Sequence, residues 1–349
     1  MLLAFELSGE HETLPKAEIA GCLRALKIPY TEETDSAGIL VIDADIPTAA
    51  CNIISTRLGM THGMHEIIGV CKPEEREILK LIRTTDMTGF MGHGQTFAVR
   101  VRGKKPVSLE RGLEGRAGGA LKRRGYEVNL TNPSKTFTLL FTKQTCLFCL
   151  LLHSRDKKLF EVRRPHLRPF FSPGVIMPKF ARALVNLSGV KAKDVLLDPF
   201  CGTGGILIEA GMMDVSLIGI DVQKKMVRGA TWNLEFYHLN SDLIVGDASK
   251  IALRDNSVDA VVTDLPYGRS SLVSSSFADS SALFPERLYL NALDELHRVL
   301  KSRGRMVIVF SSQSLQTLFH RCNFRVLEKH KYRVHKSLDR YITVLEKER

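Results

Sequence analysis

Residues 194 to 222, DVLLDPFCGTGGILIEAGMMDVSLIGIDV, constrain the fold more tightly than any other stretch of this chain. The unbroken apolar run Val195 to Leu197 predicts a strand in the middle of a parallel sheet, covered on both faces. Gly202, Gly204 and Gly205 follow at once, so the backbone can turn sharply and approach a ligand with no side chain in the way. A second apolar strand, Val215 to Ile220, ends in Asp221, 23 residues beyond Asp198. Two acids at the carboxyl ends of neighbouring strands form a nucleotide site, with the second reaching ribose hydroxyls.

The residues around the glycines select the nucleotide. A dinucleotide fingerprint needs a third glycine where Leu207 stands, and no G-x-x-x-x-G-K-[ST] phosphate loop is present. Asp198, just upstream of the turn, would repel a pyrophosphate and attract an ammonium group. S-adenosylmethionine, a cationic nucleoside without phosphate, suits that arrangement. LIVGDAS, 243 to 249, predicts a third strand that brings Gly246, Asp247 and Ala248 to the same edge, with Asp247 as acceptor for an adenine amine. VDAVVTD, 258 to 264, predicts a fourth strand and delivers DLPYG there. Helix LYLNALDELHRVLK, strand RMVIVFS and a closing hairpin of FRVLEKHKYRV and RYITVLE complete a doubly wound α/β sheet with a terminal antiparallel pair.

DPFCGTGG followed by DLPYG resembles class I methyltransferases of the amino-methylating type. Together with residues 163 to 189, RRPHLRPFFSPGVIMPKFARALVNLSG, the chain resembles archaeal and eukaryotic tRNA methyltransferases that modify the exocyclic N2 of guanosine 10. The resemblance implies a Rossmann-fold catalytic domain using S-adenosylmethionine. It implies cofactor contacts from Met177, Pro178, Asp198, Pro199, Phe200, Cys201, Gly202, Thr203, Gly204, Asp221, Val222, Gly246, Asp247, Ala248 and Asp264. Asp264, Leu265, Pro266 and Tyr267 would handle the target base. Guanine N2 is a poor nucleophile because its lone pair is delocalised, so the site must hold and polarise it. Asp264 and the Leu265 carbonyl can accept its two N–H groups, Pro266 fixes φ, and Tyr267 offers a ring for stacking. The family pattern is [DN]-P-P-[YF], and Leu265 departs from it in the second place. The Ser-rich loop 269 to 281 is a candidate lid over a flipped base. The resemblance also implies tRNA as partner and, in part of the family, a small zinc-binding activator subunit.

Charge is distributed unevenly along the chain. Residues 1–94 hold 8 Lys and Arg against 14 Asp and Glu, whereas residues 95–175 hold 17 against 5, within an overall net charge of +11. Such a block predicts a polyanionic partner. Strand TFAVRVRGKK would put Arg100 and Arg102 on a basic sheet face, opposite Phe97, Val99 and Val101. A helix ending in Lys122, Arg123 and Arg124 stops at Gly125, and GGALKRRGYEVNLTNP resembles the THUMP domain of RNA-modifying enzymes. Residues 154 to 174, with Pro165, Pro169 and Pro173, predict a stiff, extended, basic connector. Within it Arg163, Arg164 and Arg168 would meet phosphates, and His166, Phe170 and Phe171 would stack on bases.

The domain reading is a ferredoxin-like α+β module at 1–60, a THUMP domain at 61–153, a basic linker at 154–174 and a methyltransferase domain at 175–349. The N-terminus meets acids too early for a signal peptide and no 18-residue apolar span occurs, so a cytoplasmic location without membrane contact is expected. Seven scattered cysteines suit reduced thiols; Cys146 and Cys149 form a C-x-x-C inside the apolar run CLFCLLL, read as core strand, and no metal site is expected. Two other readings remain open at this stage. One keeps the chemistry on another RNA position or on adenine N6, and the other is a silent RNA-binding protein that retains the fold.

Overall fold

The computed structural model describes every residue except 37, 105, 108, 110, 157, 267–283, 312–318, 320–321, 336–337 and 349. The chain divides into two units. The first comprises Met1–Glu10, Ile28–Thr56 and Thr61–Arg155, and the second comprises His11–Lys27, Arg57–Met60 and Asp156–Arg349.

The sheet of the first unit contains β1 (Leu2–Leu7), β2 (Tyr30–Ser36), β3 (Ile39–Ala44), β4 (Thr61–Cys71), β5 (Thr96–Gly103), β6 (Glu127–Val128), β7 (Lys135–Phe141) and β8 (Cys146–Ser154). Their order is β2-β3-β1-β4-β8-β7-β5-β6. A domain boundary at 60 therefore does not hold: β1 pairs with β4 across it, which makes the two stretches parts of one sheet. Strands β2 and β4 carry no clear sequence signal. β2, YTEETDS, is polar because it lies at the sheet edge, and β4 is interrupted by Gly63 and Gly69. Helices α3 (Glu75–Thr84) and α4 (Leu113–Lys122) place Ile78, Ile82, Leu113, Ala117 and Leu121 in one core with Phe97, Val99, Phe137, Leu139 and Phe148. Cys146 belongs to this core and Cys149 to a cluster with Leu140 and Leu147. Three residues apart on a strand, the two thiols point to opposite faces, so they cannot share a ligand.

In the second unit the sheet contains β9 (Val195–Asp198), β10 (Ser216–Asp221), β11 (Asp242–Val245), β12 (Val258–Asp264), β13 (Leu300–Phe310), β14 (Phe324–His335) and β15 (Leu338–Lys347). The order β11-β10-β9-β12-β13-β15-β14 has five parallel strands followed by an antiparallel pair, as the sequence predicts. Period-two alternation builds two cores: Val307 and Val309 of β13 enter one, and Met306, Ile308 and Phe310 enter the other. The first core packs beneath α6 (Pro178–Leu187), α7 (Gly205–Gly211) and α8 (Lys224–Phe236), the second beneath α9 (Phe284–Val299).

An N-terminal helix, α1 (Leu14–Ala25), is part of this second unit. It packs on α6 so closely that a side chain at Gly21 would collide with the Asn186 carbonyl. Buried Glu18 accepts the backbone N–H groups of Gly59 and Met60, both at 2.7 Å, and the Asn186 amide at 3.1 Å. Arg57 donates to Asn186 Oδ1 and to the Val190 carbonyl. A helix read from sequence as belonging to the N-terminal module is thus integral to the unit that carries β9 to β15, because its buried charged side chain is satisfied there.

Candidate active site

The chain runs from β9 out to β10 and β11, then returns to lay β12 on the other side of β9. That reversal opens a crevice at the carboxyl ends of these strands, the general ligand position of open α/β sheets. Asp198, Asp221 and Asp264 end β9, β10 and β12 respectively, and Gly246, Asp247 and Ala248 follow β11. The sequence-predicted acids are therefore brought to one edge.

Around the glycine turn, Gly202 and Gly204 have φ of +49° and +78°, which an L side chain rarely adopts. An added Cβ at Gly202 would meet nothing within 4 Å, so that turn leaves open space beside its backbone. Asp221 accepts the Gly202 N–H at 3.0 Å and the Gln223 N–H at 2.9 Å, which fixes the turn to the end of β10 while leaving carboxylate lone pairs for hydroxyls. Asp198 is 2% exposed and accepts the Thr263 hydroxyl at 2.8 Å and the Phe200 N–H at 3.2 Å. Burial pushes its carboxyl up to about 7, against the two hydrogen bonds that pull it down. Asp247 accepts the N–H of Ser249, and Val222 is half exposed beside the site. Cys201 and Thr203 are buried in the turn, and Met177 caps α6 with Pro178 at its first position. These residues fit a cationic nucleoside: open backbone at glycine, a carboxylate for hydroxyls, and a buried acid whose elevated proton affinity an adjacent cation would relieve.

Asp264 occupies the most constrained position. Its Oδ2 meets Nη2 of Arg340, on β15, at 3.2 Å, while its buried Oδ1 has no hydrogen-bond partner among the described residues. Burial pushes the carboxyl up to about 8; Arg340 lowers it and Asp198 raises it further. Leu265 donates its N–H to the Val309 carbonyl at 2.8 Å and sends its side chain into an apolar cavity lined by Phe200, Tyr289, Leu293 and Ile308. Proline at that position could not make this hydrogen bond, so the departure from the family pattern is structurally compensated. The Tyr289 hydroxyl donates to the Pro266 carbonyl at 3.0 Å. Tyr267 and the loop 269 to 281 lie outside the described residues.

Several neighbours of the candidate site escaped the sequence. Thr263 holds Asp198, Tyr289 holds Pro266, and Arg340 holds Asp264. Asn233 of α8, fully buried, accepts the Phe170 N–H and donates to the carbonyls of Phe170 and Thr203. Only Asn233 left a trace, as an amide in the middle of an amphipathic helix.

The basic connector differs from its expected form. It contains α5 (Lys158–Glu161) and a 3-10 turn at Pro165–Leu167 rather than an extended strap. Arg163 and Arg168 are only 4% and 6% exposed. Arg163 grips Glu209 of α7 with Nε at 2.8 Å and Nη2 at 3.1 Å, Arg182 reaches the same carboxylate at 2.9 Å, and both guanidinium groups lie over the Phe160 ring. Arg168 donates twice to the Arg163 carbonyl. These two arginines are structural and cannot meet phosphates. Phe170 is likewise held, packed on Gly229 and edge-on to Trp232. Arg164, His166 and Phe171 remain exposed, with Arg164 paired to Glu161.

In the first unit, Lys122, Arg123 and Arg102 are exposed. Arg100 is half-buried and donates to the Leu130 carbonyl, and Arg124 donates to the carbonyl of Ile82. Arg100 and Arg102 lie opposite Phe97 and Val99 as expected, but Ala98, Thr138, Leu140 and Cys149 on their side are buried, so the described residues show no continuous basic face there.

Strand order, glycine turn and the three strand-end acids define a class I, Rossmann-like methyltransferase domain. Residues 165–342 match the RMKL-like methyltransferase domain model. Over 344 residues the chain is 36% identical to the tRNA (guanine(10)-N2)-dimethyltransferase of Methanothermobacter thermautotrophicus, covering 98% of each. It is 31% identical to the Methanocaldococcus jannaschii protein of the same name, covering 99% of this chain and all of that one. The chain belongs to the tRNA (guanine(10)-N2)-dimethyltransferase family. TrmN from Thermus thermophilus shares the fold, with a TM-score of 0.54 at 19% identity over 99% of this chain and all of the other. Among the described residues no helix is long and apolar enough to cross a membrane.

Proposed function

We propose that this protein transfers methyl groups from S-adenosylmethionine to the exocyclic N2 of guanosine 10 in tRNA, giving N2-methylguanosine and N2,N2-dimethylguanosine. The observation that carries the reading is the unpartnered, buried Oδ1 of Asp264. A buried carboxylate oxygen without a donor is costly, and an amine N–H of a bound base satisfies it.

S-adenosylmethionine supplies an electrophilic methyl on a sulfonium that departs as a neutral thioether. On our reading Asp221 receives its ribose hydroxyls, Asp247 its adenine amine and Asp198 the cationic methionine end, with Met177, Pro178, Pro199, Phe200 and Cys201 shaping the walls. Gly202, Thr203 and Gly204 provide backbone at close approach. Asp264 Oδ1 accepts one N2–H and the Leu265 carbonyl the other, so the nitrogen faces the methyl in a fixed orientation. Pro266, with its φ fixed and its carbonyl held by Tyr289, keeps that turn from relaxing. As the N–C bond forms the nitrogen loses a proton, and Asp264, more basic than an ordinary carboxylate, receives it.

The tRNA is held in part by the first unit, read as a ferredoxin-like module continuous with a THUMP domain, through Arg102, Lys122 and Arg123. A small zinc-binding activator subunit would dock on the β11 edge, a reading supported by the exposure of Val245 there and of Trp232 and Phe236 on α8. The location we propose is cytoplasmic. Reaction of the purified protein with unmodified tRNA and the methyl donor, followed by mass spectrometry of the nucleosides, should yield the N2-methylated guanosines. Asp264→Asn should abolish them while leaving donor affinity largely intact. Methylation of adenine N6, or no methylation under conditions where the donor binds, would overturn the assignment.

A further inference from the structure

Arg340, near the start of β15, is a buried arginine far in sequence from every motif of the site. Its Nη2 lies 3.0 Å from the Gly174 carbonyl and 3.2 Å from Asp264 Oδ2. Gly174 has φ +84° in the turn formed with Pro173, three residues before Met177. That conformation presents the carbonyl and strongly favours glycine. One guanidinium nitrogen therefore joins the segment leading into α6, the end of β12 and the terminal hairpin.

The consequence for Asp264 is geometric. With Oδ2 engaged by Arg340, the carboxylate has one oxygen left, and that oxygen is the buried, unpartnered Oδ1. We propose that Arg340 is a positioning residue for methyl transfer: it holds Asp264 rotated so that Oδ1 alone receives the target amine, it favours loss of the carboxyl proton against burial, and it ties that carboxylate to the Gly174 turn. The inference rests on the assignment of Asp264 to the amine. Among the described residues, the charged groups facing Asp264 are Arg340 from β15 and Asp198 from β9, of opposite sign. Burial and Asp198 both favour the protonated acid, so Arg340 is the one cation opposing them. With Oδ2 facing a guanidinium, the proton of a neutral Asp264 would sit on Oδ1, which could then neither accept the amine N–H nor take its proton.

The test is the pH dependence of single-turnover methyl transfer in Arg340→Gln and Arg340→Lys. Arg340→Gln should slow transfer about 10- to 100-fold at pH 7 and recover toward the parent rate as pH rises, because Asp264 then ionises without help. Arg340→Lys restores the charge without the fork, so its acid limb should coincide with the parent's at an intermediate rate. A loss in Arg340→Gln that is uniform across pH, or no loss, overturns the proposal. Should Arg340→Gln fail to fold, a displaced acid limb in Arg340→Lys would do the same. Carboxyl NMR titration of Asp264 reads the effect without turnover: its midpoint should rise in Arg340→Gln. If it rises while the parent protein methylates no guanosine, Arg340 keeps its role and only the assigned reaction falls.

Discussion

Two sets of arginines and lysines share one basic block of sequence and meet opposite fates. In the first unit Arg102, Lys122 and Arg123 stand in solvent, whereas Arg163 and Arg168, some forty residues on, are buried against α7. The difference lies in an acid that the block itself does not contain. Glu209 sits on α7, fully buried, and accepts charge-assisted hydrogen bonds from Arg163 while pairing with Arg182. The same local charge density thus stays in solvent in one segment and becomes a buried clamp in the next. A buried carboxylate contributed by a distant helix decides between them.

Removing that acid should break the contrast most severely. Glu209→Ala removes the carboxylate that two buried guanidinium groups share, and loss of one partner of such a network costs roughly 3–5 kcal/mol. A fall of many degrees in melting temperature is expected; a melting point within two degrees or so of the parent would show that the clamp contributes little.

Buried acids without a full complement of cations provide the converse case. Asp198 has its proton affinity raised to about 7 from the usual 3.8, chiefly by burial. Between those pH values the unfolded chain binds fewer protons than the folded one, so stability falls as pH rises through the window. Asp198→Asn keeps an Oδ1 acceptor for Thr263 and Phe200 and does not titrate. In the absence of the methyl donor, its melting temperature relative to the parent should rise steadily from pH 4 to pH 7, by an amount on the order of a few kcal/mol in stability. A difference that does not vary with pH would place the proton elsewhere.

The smallest stability effect belongs to the exposed set. Lys122→Ala with Arg123→Ala should change stability by less than about 0.5 kcal/mol per site, while the salt dependence of tRNA binding falls by about one unit of slope for each phosphate no longer neutralised. Arg164→Ala is the control from the strap: its exposed pair with Glu161 should be worth less than about 1 kcal/mol. An unaltered salt slope in the double variant would remove Lys122 and Arg123 from the RNA surface.

What the sequence determined by itself is the crevice at the carboxyl ends of the parallel strands. Apolar runs ending in acids, a turn rich in glycine and another that carries a proline are local patterns, and β9, β10 and β12 fall where they predict. Asp198, Asp221, Asp247 and Asp264 were legible for that reason. Tertiary structure decided everything that depends on a partner distant in the chain. β1 joins β4 in one sheet across the expected boundary, α1 belongs to the second unit because Glu18 finds its donors at Gly59, Met60 and Asn186, and Arg163 finds Glu209. Arg340 meets Asp264 only after five parallel strands have brought the terminal hairpin alongside β13. Periodicity and turn chemistry act over a few residues and can be read in order. The ionic state and burial of a side chain depend on the dielectric and the partners that folding gathers around it, and no local pattern encodes those.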